Sequence, residues 1–119
     1  MGITRYEELD VWKTAHQAVL ETYRMTMKYP VEERYGLVSQ MRDAARSIAA
    51  NITEGFGRRR SKDKIRFYNF SQGSIEELRY YYRLSTDLGY LVDASGVGQL
   101  LDRTACMLKR LVARTSDLT

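Results

Sequence analysis

The spacing of the apolar residues constrains this chain more than any other feature. Leu9, Trp12, Ala15, Val19, Tyr23 and Thr26 advance in steps of three and four. Val38, Met41, Ala45, Ile48 and Ile52 do the same, as do Ile65, Tyr68, Gln72, Ile75, Leu78, Tyr82, Ser85 and Leu88. A fourth stripe runs through Leu100 or Leu101, Thr104, Met107 or Leu108, and Leu111. Such steps place each set along one face of an α-helix. No segment sustains the period-two alternation of a half-buried strand, so no sheet is predicted.

The breaks fall between the stripes. Pro30 cannot continue a helix, and Glu32 and Glu33 suit the positive start of the next. Gly55 and Gly57 are expected to end the second helix in the left-handed cap conformation, and Ser61 to cap the third, with Asp63 in its first turn. Gly89 closes the third helix and Asp93 opens the fourth. The predicted helices are 7–28, 33–55, 62–88 and 97–114. Short joints make successive helices antiparallel neighbours, so the expected fold is all-α: an antiparallel up-down-up-down four-helix bundle, one domain over 1–119.

Composition narrows the class. With 29% charged and 44% hydrophobic residues the chain has the balance of a globular protein rather than a disordered one. No window of about 18 apolar residues occurs, so no membrane span is expected. Met1 to Asp10 lacks the apolar core of a secretory signal, and the single cysteine, Cys106, cannot form an internal disulfide. Both readings suit the cytoplasm. Cys106 is expected to be a buried thiol on the fourth helix. His16, the only histidine, is expected at the surface or its boundary, with no second His or Cys to build a metal site. No Glu-x-x-His motif of a di-iron bundle is present, and no nucleophile stands with a base, so neither metal, cofactor nor catalysis is expected.

The charge is local. Residues 55–66 carry six basic side chains against one acidic, net +5, whereas the whole chain is only +4. Arg58, Arg59, Arg60, Lys62, Lys64 and Arg66 therefore form the candidate nucleic-acid site. Arginine forks onto phosphate oxygens, and the amides at a helix start attract the same anion. If all six met phosphates on a duplex, the logarithmic salt slope would approach about −5. The competing reading is a solvated turn whose arginines offset the negative end of helix two. The glycines follow a helix rather than a strand, and no Gly-Lys-Ser/Thr appears, so the stretch is not a nucleotide-binding loop.

Two other stretches invite a function. Asn51 and Glu54 share a helix face, with Glu54 near a C-terminus that disfavours it. The preferred reading is structural: an interhelix hydrogen bond, or a Glu54–Arg58 pair. In "RYYYR" (Arg79 to Arg83) three consecutive tyrosines cannot all face the core. Tyr82 keeps the stripe; Tyr80 and Tyr81, flanked by Arg79 and Arg83, are read as an oligomer interface. Partial burial and base stacking are the alternatives.

"YEELDVWKTA" (Tyr6 to Ala15), "YPVEERYGLVSQMRDAARSIAANITEGFGRRR" (Tyr29 to Arg60), "FYNFSQGSIEEL" (Phe67 to Leu78) and "LGYL" (Leu88 to Leu91) together resemble the four-helix bundle proteins of the 23S rRNA intervening-sequence family. A relative of that family is the accessory variability determinant of diversity-generating retroelements. The resemblance implies a bacterial, soluble, helical protein, often a pentameric barrel with a positive surface. The retroelement relative binds nucleic acid and a reverse transcriptase. One departure stands out: the family commonly reads "SIPSNIAEG", whereas this chain has "SIAANITEG", with Ala49 in place of proline. Helix two should therefore run straighter.

The combined expectation is a non-enzymatic homo-oligomer, five subunits on the family pattern, that binds RNA or DNA backbone through the basic run. The alternative is a scaffold or adaptor that binds another protein, such as a reverse transcriptase.

Overall fold

The computed structural model describes residues 2–117. Four helices carry the fold: α1 (Asp10–Thr26), α2 (Leu37–Gly57), α3 (Ser61–Asp87) and α4 (Ser95–Ser116). Single 3-10 turns, Tyr6–Glu8 and Val31–Glu33, precede α1 and α2. No strand occurs among the described residues.

Side-chain pairings fix the topology. Between α2 and α3, Lys64 meets Gly55, Ser71 meets Ile48, Ser74 meets Ser47 and Ser85 meets Met41. One number falls as the other rises, so the two helices are antiparallel. Gln72 with Ala105 and Arg79 with Asp102 give the same sense for α3 and α4. Thr26 with Arg42 and Tyr23 with Arg46 give it for α1 and α2. Thr14 meets Thr104 between α1 and α4, where the start of α1 lies beside the later turns of α4. Each helix packs on two neighbours, and the diagonal pairs stay apart at the backbone. The result is an up-down-up-down bundle measuring 47 × 24 × 20 Å.

The α2 stripe is buried as its spacing predicts: Val38, Met41, Ala45, Ile48 and Ile52 all lie in the core. On α3, Tyr68, Ile75, Leu78, Tyr82 and Ser85 are buried, while Leu88 is exposed. The alternatives on α4 resolve to Leu101 and Leu108, beside Thr104.

On α1 the buried line is Val11, Ala15, Ala18, Thr22 and Thr26; Ala15 and Thr26 belong to the predicted stripe, and the others stand one position from it. Trp12, Val19 and Tyr23 sit half-buried on its flank. The small residues win the centre because they let α1 approach closely, and the bulky ones fit only where the helices diverge. Buried hydroxyls remain satisfied. Thr22 Oγ1 and Tyr82 Oη are hydrogen-bonded at 2.7 Å, and Thr26, Thr104 and Thr115 each donate to the carbonyl one turn back. Tyr29 Oη is the exception, buried without a partner.

The joints correct several expectations. α2 begins at Leu37, not residue 33, because the Val31–Glu33 turn intervenes; Glu33 instead reaches forward to accept the Leu37 amide at 3.3 Å. Ser61 is the first residue of α3 rather than its cap, and Arg60 precedes it with no side-chain cap bond. α2 runs unbroken past Ala49. Gly89 does close α3 in the left-handed conformation, φ 80°. The Tyr90 amide there reaches back to Ser85 O and the Gly89 amide to Thr86 O. Asp93 accepts the amide and hydroxyl of Ser95 at the start of α4, which holds its carboxyl below the ordinary value.

Gly55 and Gly57 are not left-handed caps; both are helical, and Gly89 is the only positive-φ residue among those described. Their roles differ. A Cβ on Gly55 would stand 2.6 Å from Tyr68 Cε1 and 3.1 Å from Lys64 O, whereas one on Gly57 would meet nothing within 4 Å. Gly55→Ala should therefore cost about 1–3 kcal/mol by overpacking the α2–α3 seam. Gly57→Ala should be neutral or stabilising by up to about 1 kcal/mol. Urea titration of the two variants separates them; equal midpoints would discount the seam.

Burial raises the phenol pKa values of Tyr29, Tyr68 and Tyr82, and the hydrogen bond from Tyr90 Oη to Glu33 Oε2 raises that of Tyr90. A raised folded pKa contributes stability that is complete below the unfolded value and lost above it. Thermal melts should thus show a stability flat with respect to these groups up to about pH 9, falling beyond about pH 10, where unfolded phenols ionise.

Candidate nucleic-acid interface

The basic run occupies the tight joint between α2 and α3, and the structure divides its six cations. Lys64 turns inward. Its Nζ donates to Phe56 O at 2.7 Å and Gly55 O at 3.3 Å, covering carbonyls at the end of α2. Burial also pulls its pKa below the ordinary lysine value. Arg58 is partly committed: it pairs with Glu54 at 3.2 Å across one helical turn and lies over the Phe67 ring at 4.6 Å. Arg59, Arg60, Lys62 and Arg66 are exposed, and no carboxylate among the described residues pairs with them. By contrast Arg5, Lys13, Arg24, Arg46, Arg79 and Arg83 each have an acidic partner.

Antiparallel packing places the start of α1 and the end of α4 at this same end of the bundle. Arg110 and Arg114, also without an acidic partner among the described residues, line a cleft with Glu8, Leu9, Asp10 and Val11 there. Sequence reading passed them over because residues 67–119 are neutral as a whole, although α4 alone holds four basic side chains against one acidic. Its i,i+4 arginine pair beside the last turn was the available signal, and it acquires meaning only once the topology brings it to the basic joint.

Asn51 does not reach another helix; its amide donates to Ser47 O and Ser47 Oγ within α2, both at 2.9 Å. With Glu54 held by Arg58, neither residue stands beside a catalytic or metal-binding partner. The described residues contain no cluster of three or more His, Cys, Asp or Glu side chains able to hold a metal ion. His16 is a boundary residue stacked on Trp12, with centroids 4.8 Å apart and planes at 9°. Cys106 is exposed rather than buried, because Thr104 and Leu108 take the core-facing positions on α4.

In the tyrosine stretch, Tyr82 is buried and Tyr80 is 60% exposed, as the helical geometry requires. Tyr81 is half-buried, with its hydroxyl on Glu77 at 3.1 Å. Arg79 bridges α3 to α4, donating a hydrogen bond to Asp102 at 2.6 Å and forming an ion pair with Glu76 at 3.4 Å, and Arg83 pairs with Asp87. Tyr80 is thus the freest member of that group. No described helix is long and apolar enough to cross a membrane.

The division of the cations is measurable. Lys64→Met should destabilise the fold by about 1 kcal/mol, since two helix-end carbonyls lose their charged donor. Lys62→Met, on the open face, should stay within about 0.5 kcal/mol of the parent. Denaturant midpoints that fall equally would show that Lys64 is not a structural cation.

The arrangement gathers exposed cations at one end of the bundle. No curated protein matches the chain. Residues 7–113 match the family described as 23S rRNA-intervening sequence protein, and the chain, four-helix bundle included, belongs to that family.

Proposed function

We propose that this protein is a non-enzymatic, cytoplasmic homo-oligomer that binds the RNA or DNA backbone through the α2–α3 end of its bundle. One observation carries the reading: Arg59, Arg60, Lys62 and Arg66 are exposed within one short stretch of chain, and none of them pairs with a carboxylate among the described residues. Unpaired, solvated cations lose little on meeting phosphate and release its counterions, which makes binding favourable and salt-dependent. Arg110 and Arg114 extend the positive field at the same end. The family description, which places such proteins with rRNA insertions, agrees with a polyanionic partner.

Assembly would multiply the effect. In a ring of five subunits the joint would repeat around the axis and turn a modest local charge into a continuous belt. Tyr80, the most exposed part of the tyrosine stretch, is the first candidate for the contact between subunits, with Tyr81, Arg79 and Arg83 around it. The same exposed ring favours the second reading, an adaptor that docks on another protein through α3.

The test is a titration of a structured RNA fragment at about 50 and 200 mM salt, across which a phosphate-dominated affinity falls steeply. Replacing Arg59, Arg60 and Lys62 by alanine should weaken binding and lower the logarithmic salt slope by about 3. An unchanged affinity and slope would remove the joint from consideration and leave the adaptor reading.

A further inference from the structure

Beside the unpaired cations, the outer face of α3 carries an arrangement that phosphate binding does not explain. Phe70 is 46% exposed, and the Arg66 guanidinium lies over its ring, 5.5 Å from the centroid. Phe67 meets the Phe70 ring edge-on, with centroids 5.8 Å apart and planes at 88°. Arg58 in turn covers Phe67 at 4.6 Å. Guanidinium, ring, ring and guanidinium thus follow one another along the surface. A shallow groove lined by Lys62, Asp63, Ile65, Arg66, Asn69 and Phe70 runs beside them.

One turn on, position 73 has no side chain. A helical side chain leans toward the N-terminus and covers the turn before its own Cα. Residue 73 would therefore lie over the turn of Phe70, but it is glycine, and a Cβ there would meet nothing within 4 Å. Glycine inside a helix is locally unfavourable, and no close packing within the chain requires it here.

We infer that this patch is a stacking platform for unpaired bases, so that the basic end takes single-stranded or looped nucleic acid in preference to uniform duplex. This rests on the nucleic-acid reading above and names the class of ligand within it. The patch lies in a segment of net +5, so its partner is anionic. Among polyanions, only a strand with unstacked bases offers flat π-faces to an exposed ring between cations. A duplex hides those faces in its own stack and presents phosphate alone. Arg66 serves both parts, holding the ring from one side and facing the backbone with the other donors of its fork.

The experiment compares fluorescence anisotropy of a labelled dodecameric oligouridine with that of an RNA duplex of equal length. The proteins are the parent, Phe70→Leu, Phe70→Trp and Gly73→Ala. Oligouridine should bind the parent more tightly than duplex does. Phe70→Leu keeps an apolar side chain without a π-face and should weaken oligouridine binding roughly 5- to 150-fold, with duplex binding changed less than about twofold. Phe70→Trp should restore it. Gly73→Ala should weaken oligouridine binding although the helix itself gains stability.

Equal oligouridine affinity for the parent and Phe70→Leu would overturn the platform. If Arg59→Ala and Arg60→Ala still weakened both probes, the backbone-binding reading would stand without it. Failure of both probes to bind the parent at low salt would overturn both readings. A change in subunit state by sedimentation in Phe70→Leu would identify the ring as a contact between copies and overturn the platform too.

Discussion

The seam between α2 and α3 is the contact on which the rest of the molecule depends. It is the most extensive helix pair in the bundle, and small residues make it close. Gly55 admits the Tyr68 ring, Ser71 donates to the Ile48 carbonyl at 2.6 Å, and Ser74 meets Ser47 at 2.8 Å. Side-chain-to-backbone bonds of this kind fix the register as well as the distance. A slip of one residue would detach both serines and drive the Gly55 position away from the ring. With that register set, the joint from Arg58 to Arg60 has no freedom to lengthen, and the cations after it enter α3 at defined angles.

Much of this was legible in the residues. Periodicity located all four helices, and the stripes of α2 and α3 named most of their buried side chains. The errors share a cause. Periodicity marks a helix face to within one position, so on α1 it selected the large apolar residues. Packing kept Ala15 and Thr26 of that stripe but placed Ala18 and Thr22 beside them and left Trp12 and Tyr23 on the flank. The glycines misled in a similar way. Gly55 was read as a backbone device when its role is to leave room, a tertiary fact that no local pattern contains. Gly89, whose role is local, was read correctly.

The candidate interface was half legible. A run of six cations is plain in the sequence, but which of them serve the fold is not. Lys64 could be separated from its neighbours only by the direction in which α3 leaves the joint. The aromatic part was equally hidden. Phe67 and Phe70 look like core residues by type, and only helical phase puts Phe70 outside, one turn from Arg66.

The inward turn of Lys64 has a consequence for how tightly anything can be held at this end. A loose, charged loop would have to surrender its conformational freedom on every encounter, and that loss would subtract from affinity. Here the ammonium anchors the carbonyl end of α2 to the first turn of α3, so the ordering of the joint is completed when the chain folds. The one cation withdrawn from contact thereby preorganises its neighbours. Any grip of the bundle end on the proposed polyanion would then be coupled to the integrity of the helix hairpin, and fraying of that turn would release it before the core itself came apart.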